Sequence, residues 1–310
     1  MEPTLELAFE GILGLLLAAT GTTAVLARLR PATNFTSVKL RIQTWWWLAG
    51  LLFLALSFHR DVAVVMLALV SFMAFKEFLS LVPTRQADTA VLLLAFLAIP
   101  VQYLWVHLAW YGMFIIFIPV YVFLLLPLRM VVAGETKGFL RAAGTLHWGL
   151  MTTVFSLSHV AYLLVLPTRL GPHGAVRGEM LVFFLLVLTQ LNDVAQFLTG
   201  KWLGRHKVAP KVSPNKTVEG LLGGVVITTA LAALLGPWLT PLGLVPALVV
   251  GLLISLAGFT GDVVVSAIKR DIGVKDAGNL LPGHGGILDR LDSLTYTAPL
   301  FFHFVYYFYY

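Results

Sequence analysis

The sequence predicts an all-α, polytopic transmembrane protein of about ten membrane spans. Three observations predict it: 59% of the 310 residues are hydrophobic, only 12% are charged, and the apolar residues gather in long uninterrupted runs. Average globular chains carry roughly 25% charged residues, so this chain cannot cover a water-facing surface and expects lipid as its solvent over most of its length. Soluble enzymes, disordered tails and secreted disulfide scaffolds are thereby excluded. The lack of any cysteine also excludes structural disulfides, thiolate zinc sites and cysteine nucleophiles.

A helix needs about 20 mostly apolar residues to cross the hydrocarbon core. In order, the runs near that length lie at 8–27, 44–58, 61–82, 88–106, 109–128, 143–166, 179–199, 218–236, 242–260 and 293–310. The second, Trp45 to Phe58, is short enough to be re-entrant, which would leave nine spans. Pro100, Pro119 and Pro127 interrupt runs but are tolerated in buried membrane helices. Met1-Glu2-Pro3-Thr4-Leu5-Glu6 lacks the basic segment that opens a secretory signal, so no cleavable leader is expected.

Ten spans sort the cationic loops sharply. Of the 21 Lys and Arg residues, only Arg60, Arg169 and Arg177 fall on one side, and the rest share the other. The positive-inside rule makes the crowded side cytoplasmic and places both termini outside, as expected of a bacterial inner-membrane protein. The formal net charge of +6 is then a matter of orientation, and nucleic acid is not an expected partner. Residues 1–178 read as N-terminal membrane helices with short loops. Residues 179–310 read as a C-terminal catalytic region whose unusual polar material lies in cytoplasmic loops 200–217 and 261–292.

Within that region, Asp193 sits in an apolar span next to Asn192 and Gln196. An ionisable group there costs several kcal/mol unless it meets a cavity, a partner or an ion, and helix packing against its polar neighbours is the bland alternative. Ser213-Pro214-Asn215-Lys216-Thr217 turns a basic loop into a helix, so Thr217 can cap it and leave backbone N–H groups for phosphate. Gly220 and Gly224 have the small-xxx-small spacing of helix packing.

The second segment is denser. On a helix, Asp262, Ser266 and Lys269 share one face, with Arg270 beside it. Asp289 and Asp292, three residues apart, follow a loop containing His284, Gly285 and Gly286. Glycines there let a ligand approach the backbone. Carboxylates alone would repel phosphate, so Asp262, Asp289 and Asp292 next to Lys and Arg suit a divalent cation between themselves and a polyphosphate. Mg²⁺ fits such hard oxygen donors. A structural salt-bridge network closing the helix ends is the competing reading. A lipid or ion transporter would also place Asp193 in a membrane helix, but would not concentrate polar groups at one rim.

Ser266, Lys269, Arg270, Lys275, Asp276, Pro282, His284, Gly285, Gly286, Asp289, Arg290 and Asp292 together match, at spacing, the long C-terminal pattern of a known family. The chain resembles the integral-membrane phosphatidate cytidylyltransferases, or CDP-diacylglycerol synthases. The stretch Ser213 to Thr217, followed by Glu219-Gly220 and Gly223-Gly224, is similar to the family's second hallmark. The resemblance is specific over 192–293 and only hydropathic before that. It implies a polytopic homodimer whose cytoplasm-facing cavity joins CTP to phosphatidate, releasing pyrophosphate and leaving CDP-diacylglycerol in the membrane.

It further implies Mg²⁺ on Asp262 and Asp289, and associates K⁺ with the same centre. Asp262, Asp289, Lys269, Arg270 and Arg290 are then the catalytic candidates. Asp193, Ser213, Lys216, Thr217, Ser266, Lys275, Asp276, His284, Gly285, Gly286 and Asp292 are candidates for holding substrate. One departure matters: more usual members carry Asp-x-x-Ala-Tyr where this chain has Asp193-Val194-Ala195-Gln196-Phe197. The aromatic hydroxyl is gone and an amide has appeared, which marks a divergent branch and leaves another membrane lipid phosphate as the alternative substrate.

Overall fold

The structure, a computed structural model, describes residues 3–29, 35–57, 59–83, 85, 88–274, 277–278 and 285–310. Every apolar run falls on a helix. The first four are α1 (Pro3–Leu29), α2 (Thr36–Ser57), α3 (Arg60–Leu81) and α4 (Thr89–His107). The fifth comprises α5 (Tyr111–Ile116) and α6 (Phe123–Ala133), joined by a wider π-helical turn at Phe117–Val122. That turn contains Pro119, which has no N–H to give the regular ladder, so a local slip in hydrogen bonding is natural there. The sixth is likewise α7 (Phe139–Leu150) and α8 (Ser156–Val165) around a π-helical turn, Met151–Phe155. In this turn Thr152 and Thr153 donate back to the carbonyls of Trp148 and Gly149 at 2.9 and 2.7 Å.

The remaining helices are α9 (Gly178–Leu203), α10 (Val218–Leu239), α11 (Leu244–Asp271), the single turn α12 (Leu288–Leu291) and α13 (Leu294–Tyr309). Eight helical segments among the described residues are long and apolar enough to cross a membrane. The other two runs lie on α2, which is unbroken over 22 residues but opens on Lys39, Gln43 and Thr44, and on the 16-residue α13. Residues 44–57 are an unbroken part of α2, which is not among those eight segments. The protein is therefore an all-α polytopic membrane protein.

Two small antiparallel hairpins, which hydropathy did not announce, interrupt the helices. One pairs β1 (Arg169–Gly171) with β2 (Gly174–Val176), and the other pairs β3 (Lys207–Ala209) with β4 (Ser213–Thr217). The second lies in what the sequence reads as a plain basic loop.

Packing differs along the chain. Helix α8 is buried from Leu157 to Val165 and packs against α3, α4, α9 and α13. Large side chains fill this centre, among them Phe75, Phe114, Phe184, Phe301 and Phe302. By contrast, α9, α10 and α11 meet through small residues, which let backbones approach where lipid offers no hydrophobic drive for helix association. A β-carbon at Gly251 would stand 2.7 Å from Thr229 Cα, and one at Gly236 would stand 2.7 Å from Ala247 Cβ. The close approach also lets Asn192 bridge all three helices. Its Oδ1 accepts from Thr228 at 3.0 Å and Ser255 at 2.7 Å, while its Nδ2 donates to the Ser255 carbonyl at 3.3 Å.

Candidate active site

The ends of α9 and α11, the β3–β4 hairpin, the start of α10 and the short α12 enclose a cavity of about 650 Å³. Each wall follows from a local choice in the sequence. Thr217 caps α10 as its position predicts, its Oγ1 accepting from Gly220 N at 3.1 Å. Gly220 packs its bare Cα face against the carbonyl of Gln196 and Cα of Gly200, so the cap is drawn tight onto α9. Glu219 closes the hairpin from the same turn, accepting from Arg205 N at 3.0 Å and pairing with His206 Nδ1 at 2.6 Å.

Two lysine–aspartate pairs cross the cavity. Lys216 Nζ lies 2.5 Å from Asp262 Oδ2, also donates to Gln196 Oε1 at 3.3 Å, and stands 5.5 Å from the Phe259 ring centroid. One turn further along α11, Ser266 Oγ donates to Asp262 Oδ1 at 3.2 Å. Lys269 Nζ then reaches Asp289 Oδ1 at 2.6 Å. The other oxygen of Asp289 accepts from Ala277 N at 2.8 Å and Gly286 N at 2.9 Å. The shared helical face of Asp262, Ser266 and Lys269 is thus real, and both Lys269 and Asp289 are buried.

Asp193 is held by Ser293 Oγ at 3.0 Å, and the charges acting on it come from Lys216, Asp262 and Arg290. It faces the cavity rather than Asn192, whose bonds go to α10 and α11. Asp292 accepts from Ser293 N at 2.8 Å. Its surroundings desolvate it, and Asp262 and Asp193 add like charge, so its carboxyl is pushed well above the ordinary carboxylate range. Arg290 lines the cavity with a buried Nε that has no hydrogen-bond partner among the described residues. Ser213 lines it as well.

Other candidates stand apart. Arg270 turns away, donating to the carbonyls of Val212 and Val274, both at 3.3 Å. Gly285 and Gly286 belong to the loop behind Asp289, with Gly285 at φ 80°, a backbone angle that favours glycine. Lys275, Asp276 and His284 lie outside the described residues. Asn215 lines the cavity from within the Ser213–Thr217 stretch, and Lys201 and Lys207 line it although no motif marks them, since a basic loop residue by itself reads as a solvated, orientation-setting charge.

As a metal site, the donor chemistry fits a hard cation, because carboxylates face a cavity with like charges crowded upon one another. Among the described residues, however, no three His, Asp or Glu side chains converge to cage an ion. A cation here would need oxygen donors from a ligand or water, as Mg²⁺ usually takes. A second cavity, of about 900 Å³, lies across α11 between the end of α3, the loop that follows α6, and α7. It is walled by Phe78, Trp148, Val264 and Ile268, with Lys137 and Arg141 at its rim.

Comparison with known proteins adds the following. The sequence model described as "Cytidylyltransferase family" matches residues 39–308. The uncharacterized protein YnbB of Escherichia coli (strain K12) is 45% identical over 303 residues, covering 98% of this chain and 99% of that one. The phosphatidate cytidylyltransferase of Bacillus subtilis (strain 168) is 43% identical over 126 residues, 40% of this chain and 47% of that one. A protein of the same description from Synechocystis sp. is 48% identical over 136 residues, 43% of this chain and 46% of that one. The matches to these two enzymes thus span about half of their length.

Proposed function

Because the chain belongs to the cytidylyltransferase family, we propose that this membrane enzyme joins CTP to phosphatidate, giving CDP-diacylglycerol and pyrophosphate. The observation that carries the reading is one cavity on which Lys216, Lys269 and Arg290 converge with Asp262 and Asp289. A lipid phosphate oxygen attacks the α-phosphorus of CTP, a new P–O bond forms, and the bond from that phosphorus to the bridging oxygen breaks to release pyrophosphate. Two anions must meet, so the protein's task is alignment and charge neutralisation.

Lys216 and Lys269 change partners in this scheme, giving up part of their bonding to Asp262 and Asp289 to meet phosphate oxygens. Arg290, with an unsatisfied buried Nε, offsets charge on the departing pyrophosphate. Asp262 and Asp289 would hold Mg²⁺, which supplies positive charge at phosphate oxygens when bound. A phosphate monoester is already a nucleophile near neutral pH, so no serine or histidine nucleophile and no covalent enzyme intermediate are required.

The Gln196-Phe197 departure favours a second reading, in which the acceptor is another membrane lipid phosphate such as a polyprenyl or ether-lipid phosphate. Gln196 is buried beside the cavity and its Nε2 has no hydrogen-bond partner among the described residues, so a different acceptor could use that donor. The deciding experiment incubates purified protein with labelled CTP, Mg²⁺ and a panel of lipid phosphates. Pyrophosphate release must require both substrates, and the lipid giving the highest kcat/KM identifies the acceptor. CTP consumed without lipid, or lipid moved without CTP, would end the transferase reading. Single cysteines at Ser213 and at the exposed Leu170, beside the turn at Thr240, should label from opposite faces, Ser213 from the cytoplasm, which tests the proposed sidedness.

A further inference from the structure

We propose that Glu77, near the end of α3, is a positioning residue that holds the glycine loop and α12 so that Asp289 is presented to the cavity. This goes beyond the 192–293 segment that carries the sequence motifs, and its catalytic consequence rests on the transferase reading above. Glu77 Oε2 accepts from Ile287 N and Oε1 from Leu288 N, each at 3.0 Å, across more than two hundred residues of chain. The preceding amide, Gly286 N, donates instead to Asp289 Oδ2 at 2.9 Å. Three successive backbone donors are therefore divided between two carboxylates, one structural and one facing the cavity.

The glycines of this loop make room for Glu77. A β-carbon at Gly286 would overlap the Glu77 carboxylate, and one at Gly278 would stand 3.1 Å from its Oε2. Glu77 itself does not line the cavity. A single helical turn such as α12 has no stability of its own, since nucleating a helix costs more than one turn returns. It must be held by tertiary contacts. These are the Glu77 carboxylate and a small apolar cluster of Phe78, Val265, Ala277 and Leu288 beside it. Both oxygens of Glu77 are engaged, so glutamine is a poor substitute: its amide NH₂ would face one of the two N–H donors.

Hydrogen–deuterium exchange on the full-length protein in detergent provides a first test that needs no substrate. Glu77→Gln should speed exchange in peptides covering 285–290 while leaving those of α9 and α10 unchanged. In assays with CTP and the best lipid phosphate, the same variant should lose about 10- to 100-fold in kcat, the range seen when a supporting partner of a reactive group is removed. The half-saturating Mg²⁺ concentration should rise while KM for CTP is little changed, a split that mere loss of folded protein would not give.

A second pair of variants guards against misfolding. Gly286→Ala should lose at least about ten times more activity in the parent than in the Glu77→Ala background, because removing the carboxylate removes the collision. Unchanged exchange at 285–290 in Glu77→Gln, or equal cost of Gly286→Ala in both backgrounds, would overturn the assignment. If the parent transfers no cytidylyl group to any lipid phosphate, the proposed function falls while the exchange arm still decides the role of Glu77.

Discussion

Helix α11 separates two cavities, and the larger one carries less convergent charge. On one side, Asp262 and Lys269 reach across to Lys216 and Asp289, which come from different elements. On the other, Val264 and Ile268 face a cleft of about 900 Å³ whose Arg85 is tied into the loops around it. Arg85 there is bound by its near neighbour Asp88 at 2.6 and 2.8 Å and by the carbonyls of Glu135 and Lys137. Both sets of α11 residues recur with helical spacing on opposite faces. The difference teaches that volume and convergent charge are separate properties here: the opposite charges that meet from distant segments lie in the smaller cavity.

The largest expected effect breaks or secures that contrast. Asp262→Asn should lower turnover by about 10²- to 10³-fold, as removal of one electrostatic contributor to a transition state does. It should melt close to the parent, because Asp262 and Lys216 are both partly open to solvent. Ala267→Leu, which fills part of the larger cleft, should change pyrophosphate release by less than about three-fold. A reversal of these two results would move the chemistry to the other side of α11.

Next in size is a difference between the two ion pairs. Lys269→Met leaves Asp289 buried without its countercharge and should destabilise the fold by about 3–5 kcal/mol. Lys216→Met should cost about 1 kcal/mol or less, since water reaches both members of its pair. Thermal melts of the two variants in one detergent read the gap directly. Similar melting shifts would mean that Asp289 is served mainly by its backbone donors. Asp289→Asn, which strands Lys269, should combine lost turnover with lost stability, so Asp262 is the cleaner probe of the reaction.

Smaller again is the packing of the wall formed by α9, α10 and α11. Gly251→Val must push against Thr229 and Ala232 and should cost about 1–3 kcal/mol as overpacking does. Asn192→Ala, which removes a bridge among three helices, should cost about 1 kcal/mol in a membrane, where such bonds have modest net worth. Chemical denaturation in mixed micelles would rank the pair. A larger loss for Asn192→Ala would show that polar bridging, more than close backbone approach, holds this wall.

Much of this was legible in the sequence because membrane helices announce themselves by length and hydropathy. The Thr217 cap was legible for a local reason: a hydroxyl three residues before Gly220 meets a free backbone donor. So was the common face of Asp262, Ser266 and Lys269, which helical spacing alone fixes. The π-helical turns were not legible, since a prolyl residue such as Pro119 signals disruption without saying how the ladder repairs itself. The β3–β4 hairpin carries too little apolar alternation to stand out from a basic loop. Partnerships between distant segments were also hidden. Nothing local tells Lys216 to meet Asp262, and Glu77 beside Lys76 reads as an ordinary polar pair at a helix end.

The length of α11 has a consequence for how a lipid can be handled. At 1.5 Å per residue, its 28 residues extend about 42 Å, and Asp262 rides about 27 Å from Leu244. The hydrocarbon core is about 30 Å thick, so an untilted α11 that entered it at Leu244 would carry Asp262 to about the far headgroup plane and Lys269 past it. A lipid phosphate, the acceptor proposed above, would then reach the cavity with its tails still dissolved in the bilayer. Lifting those tails into water would cost about 0.8 kcal/mol for each methylene exposed, a penalty that this geometry avoids. If the proposed transfer takes place there, bilayer thickness becomes a control on it: a thicker membrane would sink the carboxylate below the headgroups, and a thinner one would raise it clear of them.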